Sequence, residues 1–299
     1  MQEVYMRACL ILAVVAFAAC SSDSTGPAPG TGTVLAKPTG LVSTSLDGAV
    51  ALVWDDNAFA ANPNAFQNYR VYSTSYSFGS DYLKGQCGTN WQLEGSTVAP
   101  EFVVGALSNG IAECFSVTAM SLDQLEGPRS DPRQDTPRPD ARNVVVFARQ
   151  VQGAQSGFRF WNDLNGDGLV ERNELGRIVS GTSAEADFSV ERDANDSLFF
   201  LPRRAGTLLA LYDSLPVADL TSIDLAPDPL VSRSPVLDYS TTGATALPGL
   251  GYVFETAGPG GSVLYGAVRP THVGDRFLIL EWSFQTDPGN PELRKGRKP

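Results

Sequence analysis

From Lys37 onward, the chain consists of short apolar alternations separated by Gly, Pro, Asn and Asp, and no stretch keeps a helical period. Segments that place every second side chain on one face are typical of β-strands. Such strands bury their apolar faces when one sheet packs on another, as in a sandwich, or when a sheet closes into a barrel. The sequence therefore predicts an all-β protein.

The length of the chain and a polar linker near its middle predict two β-domains. The chain has 299 residues, and a soft prior of about 150 residues per domain suggests two. A polar, proline-containing linker over 136–142 separates a first domain, 37–135, from a second β-sandwich or barrel, 143–285. Strand-like segments of the second domain lie at 143–149, 157–161, 186–192, 197–201, 207–212, 251–255, 262–268 and 275–284. Residues 216–250 predict a long surface excursion, either a binding loop or a disordered segment.

The first residues predict export and a lipid anchor. Residues 1–19 combine Arg7 with an apolar run that is too short to span a bilayer, as in a signal peptide. The run ends in Phe17-Ala18-Ala19-Cys20, which resembles the lipobox of bacterial lipoproteins, and this resemblance implies that Cys20 is lipidated. The alternative is a plain secretory signal. Residues 20–36 are rich in Gly, Ser and Pro and predict a flexible tether.

The expected location in the cell envelope and the net charge of the chain limit its possible partners. Ser21, rather than Asp, after the cysteine resembles lipoproteins of the outer membrane, so we expect a periplasmic or surface-exposed envelope protein. The net charge of −11 argues against nucleic acid as a partner. The tail over 286–299 carries a basic cluster, which predicts a solvated end or a contact with anionic lipid or polysaccharide; its members are Arg294, Lys295, Arg297 and Lys298.

The motif order of the first domain resembles a fibronectin type III domain. Alternation predicts inward faces at Val50, Leu52 and Trp54 and at Phe115, Val117 and Ala119. The resemblance covers about residues 36 to 135 and implies a spacer or binding module without catalytic residues. It rests on six segments: Pro38-x-Gly40-Leu41, Asp47 to Trp54, Asn68 to Ser73, Leu107-x-x-Gly110, Cys114 to Ala119, and the last segment of the domain, Gly127 to Ser130.

Cysteine pairing follows from the predicted compartment. Cys9 leaves with the signal peptide and Cys20 takes the lipid, so Cys87 and Cys114 remain. In an oxidising compartment such a pair predicts one disulfide, with two buried free thiols as the alternative. Glu113 stands where the fibronectin family usually carries a tyrosine, and a bridge at Cys114 would supply the constraint in its place.

The segment from Asp163 to Glu174 has oxygen-bearing side chains at the spacing of a calcium loop. Position six is Gly168, which permits the sharp turn. The alternative is a polar turn that binds no metal. The predicted Ca²⁺ ligands are Asp163, Asn165 and Asp167 at positions one, three and five, the Leu169 carbonyl at seven, Glu171 through water at nine, and Glu174 at twelve.

The neighbours of this segment indicate a loop between strands. Phe158 and Phe160 alternate before it, and Gly176 stops any helix after it. The series Trp161, Asp163, Asn165, Asp167, Gly168, Glu174 and Gly176 resembles the calcium-binding B-type repeats of bacterial surface adhesins. That resemblance covers about twenty residues and implies a stabilising metal. Val170 is the apolar residue expected to tie the loop to the core.

Catalytic motifs are scarce in this sequence. The one histidine, His272, excludes two-histidine metal sites, and we place it in a turn before a strand. No Gly-x-Ser-x-Gly elbow accompanies it. Carboxylate pairs of a glycosidase remain open, because Glu255, Asp275 and Glu281 lie in or beside predicted strands.

Aromatic residues could serve the core or a sugar site. Trp91, Trp282, Tyr252 and Tyr265 lie on alternating segments and are expected to be core residues, with sugar stacking as the alternative. These observations together predict a lipid-anchored envelope protein that binds a polysaccharide or a surface protein, with no claim of catalysis. The alternatives are a carboxylate-based envelope hydrolase and a structural subunit of a surface assembly.

Overall fold

The computed structural model describes residues 32–77, 85–226 and 239–293. The predicted signal peptide, Cys20, most of the tether, residues 227–238 and the basic cluster of the tail lie outside these ranges. From Thr33 onward the described residues form one compact unit. No helix within the described ranges has the length and apolar character needed to cross a membrane.

The first part of the chain is a sandwich of antiparallel strands. One sheet has the order β1-β2-β6 and the other β4-β3-β7-β8, with β5 also paired to β3. A short helix, α1 (Asn57–Ala61), connects β2 to β3. The strands are β1 (Val42–Leu46), β2 (Ala49–Val53), β3 (Phe66–Ser77), β4 (Gln86–Cys87), β5 (Gln92–Thr97), β6 (Glu101–Val104), β7 (Glu113–Ser121) and β8 (Arg133–Asp135).

The core of this sandwich lies between the two sheets and confirms the predicted inward faces. Alternate residues of β2 are buried, because successive side chains of a strand point to opposite faces, whereas β7 is buried on both faces from Cys114 to Ser121. Leu35 is buried in the same core, so the packed chain begins before residue 37, where the first domain was predicted to start. The predicted inward residues found in this core are Val50, Leu52, Trp54, Phe115, Val117 and Ala119.

The second part is a sandwich of two five-stranded antiparallel sheets. Their orders are β11-β10-β12-β13-β15 and β14-β16-β17-β18-β9. A single turn of helix, α2 (Arg149–Gln152), follows β9. The strands are β9 (Asp140–Phe147), β10 (Gly157–Trp161), β11 (Leu175–Val179), β12 (Phe188–Arg192), β13 (Leu198–Pro202), β14 (Leu208–Leu211), β15 (Ala244–Thr245), β16 (Tyr252–Ala257), β17 (Val263–Val273) and β18 (Phe277–Gln285).

Aromatic rings fill the space between these two sheets. Phe160 of β10 stacks on Phe284 of β18 at 5.4 Å between ring centroids, and Phe188 stacks on Phe254 at 4.8 Å. Gly266 is the small residue that makes room, because a Cβ there would lie 2.7 Å from the Phe160 ring. The second domain is therefore a sandwich, one of the two architectures that the sequence left open.

Two strands and one histidine differ from the sequence-based expectation. β11 and β15 were not predicted; β11 is half-buried along its whole length and contains Gly176, so it shows no alternation. His272 is not in a turn before a strand. It lies within β17, paired with Ile279 beside a register shift, and is exposed.

The described part of the predicted surface excursion packs on the outer face of a sheet. Leu220, Ile223 and Ala226 are buried against residues of β16 and β17. A β-strand presents both faces, and this segment covers the face that the main core leaves open. The β14-β16-β17-β18-β9 sheet is thus apolar on both sides, which is why Val253 and Ala267 are buried there.

Residues 136–139 of the predicted linker form a buried connection between the sandwiches, whereas residues 140–142, also assigned to the linker, are the first residues of β9. Residues 134–139 are all buried, and Arg138 is only 1% exposed. Their backbone groups bond to both sides: Gly110 N–H donates to Pro137 O at 2.9 Å, and Phe284 N–H donates to Pro139 O at 3.0 Å. The Gln134 side chain donates to Glu292 Oε2 at 2.9 Å. These bonds attach the linker to both sandwiches.

Candidate metal centre

The predicted calcium loop joins two neighbouring antiparallel strands. β10 pairs with β11, with Trp161 opposite Leu175. Asn162 N–H donates to Glu174 O at 2.9 Å, which closes the loop at its base. The last loop residues form a single 3₁₀ turn, Arg172–Glu174, and β11 begins directly after it. The expectation that the loop lies between strands rather than helices is confirmed.

Asp163 is the residue around which the loop turns. Its carboxylate accepts hydrogen bonds from Gly166 N–H at 2.6 Å and from Gly168 N–H at 2.9 Å. Both glycines have positive φ, 75° and 74°, a conformation that glycine adopts without a Cβ penalty. The two glycines therefore allow the backbone to fold back over one carboxylate.

The other side chains of the turn are exposed and bonded locally. Asn165 Oδ1 accepts from Asp167 N–H at 3.2 Å, and Asp167 Oδ1 accepts from Leu169 N–H at 2.8 Å. Asn165 Nδ2 donates to Asp167 Oδ2 at 3.0 Å. Each side chain thus bonds its own turn, which is the usual preference of Asp and Asn in loops.

Glu174 is buried at the base of the loop and receives three N–H groups. Leu164 N–H donates to Oε1 at 2.6 Å, while Trp161 Nε1 and Glu171 N–H donate to Oε2 at 3.0 and 3.3 Å. The Leu164 hydrogen bond, supported by the other two, lowers the pKa of this carboxyl, although burial and the charge of Asp163 oppose it. The arrangement favours an ionised Glu174.

The loop brings Asp163 and Glu174 near each other but does not gather the whole predicted ligand set. The charge of Asp163 acts on Glu174, so the two carboxylates are neighbours. Within the described ranges, however, no three acidic, histidine or cysteine side chains converge as the ligands of an ion do. The physical reason is visible in the bonds above, because the carboxylates are turned toward backbone N–H groups of their own loop.

The donor chemistry nevertheless fits a hard cation. The loop offers carboxylate, amide and carbonyl oxygens, which are the ligands that Ca²⁺ prefers. Asp163, Asn165, Asp167 and the Leu169 carbonyl belong to one exposed turn, where side chains can reorient without unpacking a core. Glu171, expected to act through water, is also exposed.

Packing anchors both ends of the loop to the second core. Val170 and Leu175 pack against that core, as expected for Val170. Gly176 has a positive φ of 61°, and a Cβ there would lie 2.2 Å from Trp282 Cζ2. No side chain fits between β11 and Trp282, so only glycine allows this close approach.

The remaining candidate residues are dispersed. Glu255 lies in β16 and Asp275 in the exposed turn before β18. Glu281 in β18 is paired with Arg269 at 3.4 Å and with Arg142 at 3.9 Å. Exposed His272 contacts the ring of Phe277 at 5.6 Å.

Three of the four candidate aromatics are core residues. Trp282, Tyr252 and Tyr265 are buried, as their alternating positions predicted. Trp91 is half-buried, and the Arg129 guanidinium lies 5.4 Å from its ring centroid. Tyr252 and Trp282 belong to the core between the two sheets, whereas Tyr265 belongs to the cluster on the outer face of the β14-β16-β17-β18-β9 sheet.

The predicted disulfide is present. Cys87 and Cys114 are bonded, and the bridge links the short edge strand β4 to the buried strand β7. It lies next to Glu113, where the fibronectin family usually has a tyrosine. The bridge therefore ties β7 to the edge before Trp91.

Sequence reasoning missed a buried ion pair in the second sandwich. Asp187 is fully buried, accepts from Phe160 N–H at 2.8 Å, and is paired with Arg204 at 2.7 Å. Burial raises the pKa of Asp187, while the Arg204 charge and the Phe160 hydrogen bond oppose that rise. In the sequence, Asp187 lies near the start of a predicted strand, and no local pattern indicates that Arg204, 17 residues later, is its partner.

Comparisons with known proteins return structures rather than sequence families. No protein-family profile matches the sequence, and no curated protein matches it at a significant level. A Fn3-like protein from Clostridium thermocellum is 18% identical with a TM-score of 0.26, covering 34% of this chain and 92% of its own. A DUF4466 family protein from Parabacteroides merdae is 12% identical with a TM-score of 0.39, covering 84% of this chain and 99% of its own.

A human structure has the same kind of partial similarity. The third fibronectin III domain of the human KIAA0343 protein is 18% identical with a TM-score of 0.29, covering 38% of this chain and 93% of its own. The fold assignment rests on the described strands themselves, three in one sheet of the first sandwich and the β4-β3-β7-β8 set in the other. The chain is an all-β protein whose first sandwich, β1 to β8, is fibronectin type III-like.

Proposed function

We propose that this chain is a lipid-anchored binding protein of the bacterial cell envelope, with Cys20 as the anchor and a Ca²⁺ ion stabilising its second sandwich. The proposal places it at the outer membrane, where the second sandwich binds a polysaccharide or a surface protein. No reaction is assigned to it.

The turn around Asp163 is the observation that supports the metal most strongly. Two glycine N–H groups bond to its carboxylate, and Glu174 lies close enough for the two charges to interact. The residues that would hold Ca²⁺ are the predicted ones, with Glu174 exchanging part of its N–H bonding for the ion. The ion would neutralise charge in the loop and hold its exposed turn in one conformation. The ligand set is Asp163, Asn165, Asp167, the Leu169 carbonyl, Glu171 through water, and Glu174.

The disulfide supports the proposed compartment. Disulfides persist in the periplasm and at cell surfaces and are rare in the cytosol of most organisms. The Cys87–Cys114 bridge is consistent with the export that Arg7 and the following apolar run predict. A fibronectin type III-like sandwich beside a second sandwich is also consistent with a binding protein.

Removal of calcium is expected to lower the unfolding temperature of the second sandwich. Isolated extracellular calcium modules bind with dissociation constants of about 0.1 to 1 mM. Calcium at about 100 times the dissociation constant would raise the free energy of unfolding by about 2.7 kcal/mol through linkage. Thermal unfolding of residues 21–299 should be compared in excess calcium and in chelator.

Ligand variants isolate the effect of the metal. Glu174→Gln and Asp163→Ala should abolish most of the difference between calcium and chelator, whereas Glu101→Gln in the first sandwich should keep it. The comparison is made within each variant, because Glu174→Gln also places an amide against N–H donors and lowers stability on its own. Equal midpoints for the wild type in both conditions, with a flat calorimetric titration, would show that the loop binds no calcium.

Replacement of the lipidated cysteine is expected to release the protein from membranes. A single Cys20→Ser change removes the thiol that carries the lipid but leaves the tether and both sandwiches intact. The wild type should incorporate labelled palmitate and sediment with membranes, and the variant should do neither. Cys9→Ser, within the signal peptide, is the matched control and should behave as the wild type. A variant that fractionates like the wild type would refute the anchor.

A further inference from the structure

A cleft lies where the two sandwiches meet, beside the candidate metal loop. Its volume is about 320 Å³, and both halves of the chain line it. Asp47 and Asn109 come from the first sandwich, while Arg172, Leu175 and Trp282 come from the second. Small-ligand sites occur preferentially at such junctions, and this volume is at the lower end of their range.

Charged groups of both signs stand at the cleft. Asp47 accepts a hydrogen bond from Asn109 Nδ2 at 2.8 Å and is paired with Arg172 at 3.4 Å. Asp140, the first residue of β9, is half-buried in the cleft wall, and burial raises the pKa of its carboxyl. The lining thus carries two carboxylates and one guanidinium, an arrangement that offers both acceptors and donors but disfavours a strong anion.

Two buried polar atoms of lining residues have no hydrogen-bond partner within the described ranges. They are Trp282 Nε1 and Thr286 Oγ1, in side chains that are 5% and 9% exposed. A buried polar group left without a partner is destabilising, because it has lost its hydrogen bonds to water. A ligand that supplied an acceptor to the indole and a partner to the hydroxyl would recover part of that cost.

The cleft is also lined by apolar groups. Val170, Leu175 and the Trp282 ring line it, and Val170 and Arg172 belong to the loop from Asp163 to Glu174. A ligand that matches both the polar and the apolar lining residues carries many hydroxyl groups together with an apolar C–H face. Sugars have this combination, whereas a protein partner would need a far larger contact area than the cleft offers.

We propose that this cleft binds a small saccharide, with Asp140, Asn109, Thr286 and the Trp282 Nε1–H group bonding its hydroxyls. The inference rests on the proposed binding function and gives that function a site and a ligand class. Arg172 and Asp47, one from each sandwich, both line the cleft, so a bound sugar contacts both sandwiches.

The test is a calorimetric titration of residues 21–299 with glucose, galactose, mannose, N-acetylglucosamine and their β-linked disaccharides. At least one sugar should bind, and Asp140→Ala and Thr286→Val should each weaken it at least about tenfold, which corresponds to about 1.4 kcal/mol. Asp275→Asn, in the exposed turn before β18, is the control and should bind as the wild type. Unfolding midpoints of all variants establish that they are folded.

Three outcomes separate the site from the proposed function. A sugar that binds the wild type and the folded cleft variants equally overturns the site and leaves the binding function standing. Absence of binding by every sugar overturns the saccharide, and retention of the chain on insoluble envelope polysaccharide or outer-membrane protein then decides the function separately. Selective loss of binding in Asp140→Ala and Thr286→Val supports the cleft.

Discussion

Alanine in place of Asp187 is expected to lower the free energy of unfolding by about 3–5 kcal/mol, the range measured when one partner of a buried ion pair is removed. Asp187 is fully buried. Its carboxylate forms an ion pair with Arg204 at 2.7 Å and accepts a hydrogen bond from the Phe160 N–H at 2.8 Å. Arg159 also lies within range of its charge. Without the carboxylate, the N–H group loses its acceptor and the arginines lose the balancing charge. Chemical denaturation of the folded chain measures the loss.

Two further variants test whether the loss comes from the unpaired charge. Arg204→Met alone should also be strongly destabilising, whereas Asp187→Leu combined with Arg204→Met should cost less than the two single changes added together. Asp196→Asn is the matched surface control, because Asp196 is 77% exposed and pairs with Arg192 at 3.4 Å. Exposed pairs contribute about 0–1 kcal/mol. Equal costs at Asp187 and Asp196 would contradict the assignment.

Loss of the disulfide is expected to cost about 3–4 kcal/mol by chain-entropy arithmetic for a closed loop of this length. Cys87 and Cys114 are separated by 27 residues, and the bridge connects an edge strand to a strand whose cysteine is fully buried. The Cys87→Ala and Cys114→Ala double variant should therefore unfold at lower denaturant concentration than the oxidised wild type.

Reduction provides the control for this prediction. Dithiothreitol should bring the wild type down toward the stability of the double variant, while the variant itself should not respond to it. Because the two sandwiches have separate cores, fluorescence of Trp54 in the first and Trp282 in the second should be followed separately in single-tryptophan forms. An oxidised and a reduced wild type with the same midpoint would show that the bridge adds no stability.

The local properties of this protein were readable from its sequence. Strand alternation placed Val50, Leu52 and Trp54 in the first core, because period-two burial is a property of a few consecutive residues. Cysteine counting paired Cys87 with Cys114 once the signal segment was set aside. The residues that flank the segment from Asp163 to Glu174 predicted a loop between strands, and that placement is confirmed; calcium itself stays a prediction.

The differences from the sequence-based expectation have separate physical causes. β11 was missed because Gly176 and uniform half-burial remove the alternation on which strand prediction depends. Nothing in the sequence indicated that backbone N–H groups would compete with a metal ion for the predicted ligands. In this structure such groups donate hydrogen bonds to the Asp163 and Glu174 carboxylates. His272 was placed in a turn because Pro270 precedes it, yet a register shift accommodates both residues within β17.

The sequence by itself determined the class of fold, the two inward faces of the first sandwich, the disulfide and the position of the candidate metal loop. Those features depend on residue type and short spacing. Only the tertiary structure decided that the second domain is a sandwich, that the linker is buried, that Asp187 meets Arg204, and that Asp47 faces Arg172 across a cleft. Each of these brings together residues distant in sequence, and such contacts depend on how sheets stack rather than on any local pattern.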